Sequence, residues 1–228
     1  MISPGVLFKR ARHVFKNEGF KILLGRGLNF LRYYVIRKFF RSGSYYLYEH
    51  VMEAKLESDL VPRIDNFTSH VVSSRQEADK LATDGFDLLL QFVDAVRRLE
   101  KGAIGLCFFV GQELAHAGWV ALTEAAKKQV DPLPYHVDFL NKEACTGAAY
   151  TKPKYRGKGF MAYGYYKRLE YLRERGIVKS RNAVRISNIA SQKAIAKLEP
   201  NIYARARYLK ILCWEFWREM PLTYASHS

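Results

Sequence analysis

The run Arg156-Gly157-Lys158-Gly159-Phe160-Met161 has the residue types that hold a phosphate. Its glycines let the backbone come close to a ligand and take φ > 0 where the turn requires it. Arg156 and Lys158 add positive charge. A helical pattern follows from Phe160 to about Glu174, so the run opens a helix. The first N–H groups of a helix have no partner within it and favour an anion. Before the run come a small-residue strand, Cys145 to Thr151, and the turn Lys152-Pro153-Lys154-Tyr155. Strand, basic Gly-rich turn and helix together can present backbone N–H groups to a pyrophosphate. A Walker A loop needs Ser or Thr after Gly-Lys, and here Gly159 follows Lys158. A dinucleotide fingerprint needs a third glycine and an acid closing a second strand, which fits poorly.

A second block lies downstream. Val184-Arg185-Ile186-Ser187 reads as a strand, and Asn188 to Leu198 reads as a helix capped by Asn188. The two blocks, in this order and separated by a helix, resemble the GNAT superfamily of N-acetyltransferases. That family's signature, Arg/Gln-x-x-Gly-x-Gly/Ala after a Pro-x-aromatic turn, is similar to Pro153 through Met161, with Met161 in place of the final small residue. Its second pattern, Asn-x-x-Ala/Ser opening a helix that closes in Lys-Leu-Gly-Phe, is similar to Asn188 through Leu198. Glu199-Pro200 stands where Gly-Phe is expected. The resemblance covers Phe67 to about Glu219.

The resemblance implies an α/β (α+β) fold with a mixed, splayed central sheet flanked by helices. It implies acetyl-coenzyme A, or another acyl-coenzyme A, as co-substrate, and no metal. The backbone of Ala149, Tyr150 and Thr151 would pair with pantetheine. The N–H groups from Arg156 through Gly157, Lys158, Gly159 and Phe160 to Met161 would hold the pyrophosphate. Asn188 and Ser191 would lie near the pantetheine or the sulfur, although Asn188 can also serve simply as an N-cap. The implied reaction is direct attack of an amine on the acyl group.

That reaction needs a base for the amine proton and a group to protonate the leaving thiolate. Glu143, at the start of the implied fourth strand, is a base candidate, with His116 on the preceding strand second. His136 and Asp138 are further choices. Ile195 occupies the position where the family often places a tyrosine acid, so Tyr203 and Tyr208 stand as acid candidates. The acceptor is a small amine such as an amino sugar, a polyamine or an amino acid, or a protein amine. A non-catalytic acyl-coenzyme A binder and a nucleic-acid-binding module remain alternative readings.

These groups must be positioned by a chain of 228 residues, enough for one core plus an appendage. Phe67 to Val72 reads as the first core strand, Arg75 to Leu99 as helical segments broken near Gly85, and Ala103 to Leu122 as a hairpin around Gly111-Gln112-Glu113. Residues 130–141 read as a Pro-containing loop with a short strand at Tyr135–Phe139. Ile202 to Lys210 and Ile211 to Arg218 read as closing strands. Tyr45 to Met52 is either a strand or a link.

The 49% hydrophobic and 14% aromatic content argue against disorder. Net charge is +15, and residues 1–41 hold ten Lys/Arg against Glu18, which is +9 of it. Leu24, Leu28, Leu31, Val35 and Phe39 fall on one helical face, with an earlier short helix at about Val6–Lys16. Residues 1–44 therefore read as a basic amphipathic helical extension ending at Ser42-Gly43-Ser44, and 45–228 as the catalytic-type domain. The extension packs on its own domain or a second subunit (a homodimer), contacts an anionic membrane, or, less readily, binds nucleic acid. Cys107, Cys145 and Cys213 form no metal pattern and read as buried free thiols of a reducing compartment. No signal peptide or transmembrane run is evident, so the expectation is a cytoplasmic protein, peripheral at the inner membrane surface if the extension serves that contact.

Overall fold

The computed structural model describes residues 39–52, 60–92 and 94–222, and isolated positions at 8, 12, 15, 20, 21, 24, 25, 27 and 28. Those isolated positions are helical; the rest of the expected N-terminal helices lies outside the described residues. The chain runs β1 (Phe40–Val51), β2 (Phe67–Val72), α1 (Arg75–Thr83), α2 (Leu88–Gln91), α3 (Ala95–Glu100), β3 (Ile104–Val110), β4 (Glu113–Ala121) and α4 (Glu124–Val130). It continues β5 (Glu143–Thr151), a 3-10 turn (Pro153–Tyr155), α5 (Phe160–Arg173), β6 (Lys179–Arg185), α6 (Ile189–Ala196), β7 (Asn201–Ile211) and β8 (Trp214–Pro221).

The strands form one sheet in the order β2-β3-β4-β5-β6-β1-β7-β8. Only β5 and β6 are parallel. α1 to α4 cover one face, where Leu81, Leu88, Leu99 and Val130 pack with Trp119 and Tyr135. α5 and α6 cover the other, where Phe160, Tyr165, Leu172 and Ile195 pack with Phe108 and Val120. Each fully buried Leu- or Phe-sized side chain here stabilises the fold by about 1.5–3 kcal/mol. α1 starts where Ser74 accepts from the Glu77 N–H while the Glu77 carboxylate accepts from Ser73 N–H. This reciprocal arrangement satisfies two otherwise unpaired donors.

Four expectations change. Ser42-Gly43-Ser44 does not end the extension; it lies inside β1, paired with Leu209, Tyr208 and Arg207. Gly43 fits tightly there: a Cβ would lie 3.0 Å from the Arg185 guanidinium and the Tyr45 ring. Residues 135–139 alternate between buried and exposed like a strand but join no ladder. The strand after α5 is Lys179–Arg185, earlier than its apolar residues suggest. Cys213 is exposed, whereas Cys107 and Cys145 are buried, with thiols pushed up to about 12 by burial.

Candidate functional site

Pro153-Lys154-Tyr155 forms the 3-10 turn that reverses the chain after β5. Glu113, at the β3–β4 turn, holds it by accepting from Lys152, Lys154 and the Tyr155 hydroxyl. Burial pulls the Glu113 carboxyl up, but these donors outweigh it and bring it down to about 2. Gly157 and Gly159 follow at φ 75° and 97°, a region that L side chains enter only with strain. Gly159 is the N-cap of α5 and supplies no side-chain cap. Among the described residues, none accepts from the N–H groups of Phe160, Met161 or Ala162. Arg156 and Lys158 are exposed beside these donors. Phe160 is buried and anchors the helix start against Phe67, Phe108 and Tyr155. Met161 is only half-buried, and Pro62 crosses behind Gly159, 3.2 Å from where a Cβ would sit.

β5 and β6 pair at Glu143–Lys179, Ala144–Ser180 and Cys145–Arg181, and there the ladder ends. Beyond it the strands part. A bulge turns β5 away: Ala148 and Ala149 together face Gly118 of β4, and Ala148 has φ 45°. Gly147, Ala148, Ala149 and Thr151 are half-exposed and Tyr150 is exposed. Tyr150 and Thr151 still pair with β4, so the edge they turn toward β6 has no ladder partner. The same bulge accommodates a buried cation. Arg168 of α5 donates from Nε to Gly164 O (3.0 Å) and from Nη1 to Gly147 O (3.4 Å). Gly118 leaves it room, because a Cβ there would lie 2.7 Å from the guanidinium carbon. Burial brings Arg168 down to about 10, which still leaves it charged at neutral pH.

At the point of parting sits a buried polar column. Tyr165 donates to Asn182 Oδ1 (2.5 Å) and shares a hydrogen bond with Thr146 Oγ1 (2.9 Å). Ser180 donates to Thr146 at 3.3 Å, and the His50 ring packs 4.8 Å from that of Tyr165. Burial raises the Tyr165 hydroxyl pKa, so the column stays neutral there.

Two carboxylates flank β5. Glu143 is at the closed end and is nearly buried. It accepts from Arg181 through both oxygens (2.7 and 2.9 Å) and from Asp138 N–H (2.9 Å). Burial pushes its carboxyl up, yet Arg181 and the Asp138 amide hold it below the usual range. Asp131 follows α4 and lies over Gly147, whose Cβ would come within 3.6 Å of Asp131 Cβ. It accepts from Leu133 N–H (3.1 Å) and Tyr135 OH (3.0 Å), and that hydroxyl meets Cys145 Sγ at 3.2 Å. Burial raises Asp131 above the usual carboxylate range despite these donors and Lys127.

The sequence matches no family model and no curated protein. Solved structures are similar in shape. A GCN5-related glucosamine N-acetyltransferase region of a fungal multi-domain GH3 β-N-acetylglucosaminidase superposes with TM-score 0.50 at 13% identity, covering 82% of this chain and 23% of that one. A tandem GNAT protein from the clavulanic acid pathway gives 0.49 at 14%, covering 80% and 55%. A GNAT-family acetyltransferase of Colwellia psychrerythraea gives 0.48 at 15%, covering 76% and 57%. The fold is GNAT-like. The chain spans a little over half the length of the last two structures.

Within this GNAT-like frame the sequence-derived candidates separate. The Arg156–Met161 turn meets the end of β5 through Arg156, whose Nε donates to Thr151 O at 3.2 Å. Asn188 accepts from Ser191 N–H (3.2 Å) and is exposed, so its side chain is occupied as an N-cap. Ile195 is buried in the core, and Glu199 keeps a left-handed backbone, φ 49°, where the resemblance places glycine. Tyr203 lies under Arg181 (4.8 Å), which joins it to Glu143 at the closed end. Tyr208 is buried against Trp217. His116 is wholly buried; its Nδ1 meets Thr151 Oγ1 at 2.8 Å and its Nε2 has no partner. Burial, then the Arg168 charge, brings it down to about 3, so it is neutral and enclosed. His136 is exposed, and Asp138 accepts from Asn141. Sequence reading missed Arg168, Asn182 and Asp131. The usable signals were an arginine among the apolar residues of α5 and an Asp-Pro pair closing α4.

Proposed function

We propose that the protein is an N-acyltransferase that moves an acyl group from acyl-coenzyme A to an amine. The observation supporting this most is that the unpartnered N–H groups opening α5 follow, across one short turn, a stretch of β5 that has left the β6 ladder. Arg156 and Lys158 lie in that turn, and two of the stretch's carbonyls, Gly147 O and Thr151 O, accept from Arg168 and Arg156. Donors of that kind suit a pyrophosphate, and an unpaired strand edge suits an amide-bearing arm. Gly157 and Gly159 keep the turn low enough for close approach. Acyl-coenzyme A, when bound, supplies a thioester carbonyl for the amine to attack.

The chain's own residues divide the remaining work. Arg156, Lys158 and the α5 N-terminus bind negative charge. The β5 edge from Gly147 to Thr151 orients the arm. Of the two carboxylates beside β5, Asp131 is assigned as the acceptor of the amine proton, because it lies over Gly147, where β5 leaves β6, and no arginine hydrogen-bonds it among the described residues; it is buried and accepts from Leu133 N–H and Tyr135 OH. Glu143, clamped by Arg181, is a positioning residue that keeps the closed end of the strand pair in place. The test is turnover of acetyl-coenzyme A against a panel of amines, comparing Asp131→Asn with Glu143→Gln. Loss of kcat in Asp131→Asn, with the acidic limb of the pH profile removed, supports the assignment. An unchanged profile refutes it.

A second reading has its own observation. Ile195 fills the place of the family's tyrosine with an aliphatic core residue, which has no proton to donate. A non-catalytic acyl-coenzyme A binder would bind the co-substrate and turn over none of the amines.

A further inference from the structure

The outer strands carry a pattern that acyl transfer does not use. Paired residues of β1, β7 and β8 share one face in rows. The row at the tip is Phe40, Ile211 and Trp214. Next is Ser42, Leu209 and Phe216, followed by Ser44, Arg207 and Arg218, then Tyr46, Arg205 and Met220. Phe40, Ile211, Trp214 and Phe216 are exposed, Trp214 by 69%. Arg205, Arg207 and Arg218 are exposed too, and none forms an ion pair among the described residues.

The turn at the tip is equally unusual. Leu212, 60% exposed, has φ 56°, a conformation that hairpins ordinarily give to Gly or Asn. An exposed leucine held in a strained turn costs the free chain stability and gains it no core. Leu212 N–H also donates to Phe39 O at 2.5 Å, tying the tip to the root of the N-terminal extension. In that extension the helical residues Phe8, Phe15, Phe20, Leu24 and Leu28 are all exposed. The same segment carries ten Lys/Arg and one acid over residues 1–41.

We infer that the β7–β8 tip forms a docking face for an anionic lipid bilayer, to which the basic composition of residues 1–41 adds charge. The apolar rows enter the interface and the arginine rows meet the lipid phosphates. Two residues along a strand advance about 7 Å, so the tip and second rows span the depth of about 5–10 Å to which interfacial segments sink. Trp214 has the amphipathic ring that favours the headgroup level. The surplus positive charge fits an acidic leaflet. A second copy of the chain is disfavoured, because the β8 edge bears Glu215, Arg218, Glu219 and Pro221, which blunt edge pairing. Nucleic acid is disfavoured, because the tip mixes aliphatic Ile211 and Leu212 with its rings, and base stacking uses only the rings, whereas a bilayer interface takes up both. The inference stands independently of the acyl-transfer reading.

The test is flotation of the full chain with phosphatidylcholine vesicles, with and without phosphatidylglycerol, at low and high salt. The comparison is with Leu212→Asp/Trp214→Asp, whose fold is checked by its melting curve. Wild type is expected to bind the anionic vesicles, to release with salt, and to lose about tenfold in the variant. Deleting residues 1–38 is expected to weaken binding further. Absent vesicle binding, or equal binding by a folded variant, overturns the inference. A variant that instead abolishes self-association or RNA binding, with no vesicle binding by wild type, also overturns it and names the other occupant.

Discussion

The β5–β6 pair has a closed half and an open half, and they are held by different physics. In the closed half, Glu143, Glu49, Lys179 and Arg181 form a charged clamp across a short ladder. In the open half, a bulge, a buried guanidinium and a neutral polar column keep the same strands apart. A carboxylate paired with a guanidinium is a poor base, and burial holds the His116 imidazole neutral. The proposed chemistry is therefore assigned to the open half, where β5 leaves the β6 ladder and the buried Asp131 is pushed toward protonation. The clamp fixes where the parting begins.

The comparison can be broken at several points, in order of expected effect. Arg181→Ala leaves Glu143 without its main cation in a nearly buried site. It should destabilise the protein by about 3–5 kcal/mol in denaturant titration. Gly164→Ala places a methyl 2.6 Å from the His116 ring. The overpacking should cost about 1–3 kcal/mol, and Gly118→Ala should behave alike by pressing on Arg168. If either proves neutral, the wedge is looser than its contacts imply. Asn188→Ala should cost about 1 kcal/mol as a lost cap. A loss of co-substrate binding with no loss of stability would give that side chain a binding role instead.

The two carboxylates should also respond to pH with opposite sign. Glu143 is depressed in the fold, so its stabilisation is present above the unfolded carboxylate pKa of about 4.3 and is lost as pH falls through its native value. Asp131 is raised in the fold, so it favours the native state while protonated. That contribution is lost as pH rises through its native value. Melting temperatures across pH should show Glu143→Gln converging on wild type in acid. Asp131→Asn should gain on wild type as pH rises. Parallel curves for the two variants would remove the distinction.

What the sequence revealed follows from how local each feature is. The Gly-rich turn and α5 were legible because their signals are short-range: glycine at positive φ, then a helical period. The start of β6 was hidden, because its buried face begins with Ser180 and Asn182 before reaching Val184, and Lys179 and Arg181 lie on the other face, so no apolar alternation marks it. β1 was obscured by Ser42-Gly43-Ser44, where glycine serves a side-chain contact from a distant strand. Asp131 and Arg168 were illegible because their burial depends on segments far away in the chain. Glu199 shows the converse: its backbone is left-handed, φ 49°, with no glycine in the sequence to mark it.

The most direct measurement is calorimetric titration with acetyl-coenzyme A of wild type and of Arg156→Glu/Lys158→Glu. Both side chains are exposed, so their reversal leaves the core untouched. The account predicts saturable binding by wild type that weakens at least about tenfold in the variant at an unchanged melting temperature. No binding by wild type, or equal binding by both, would contradict it.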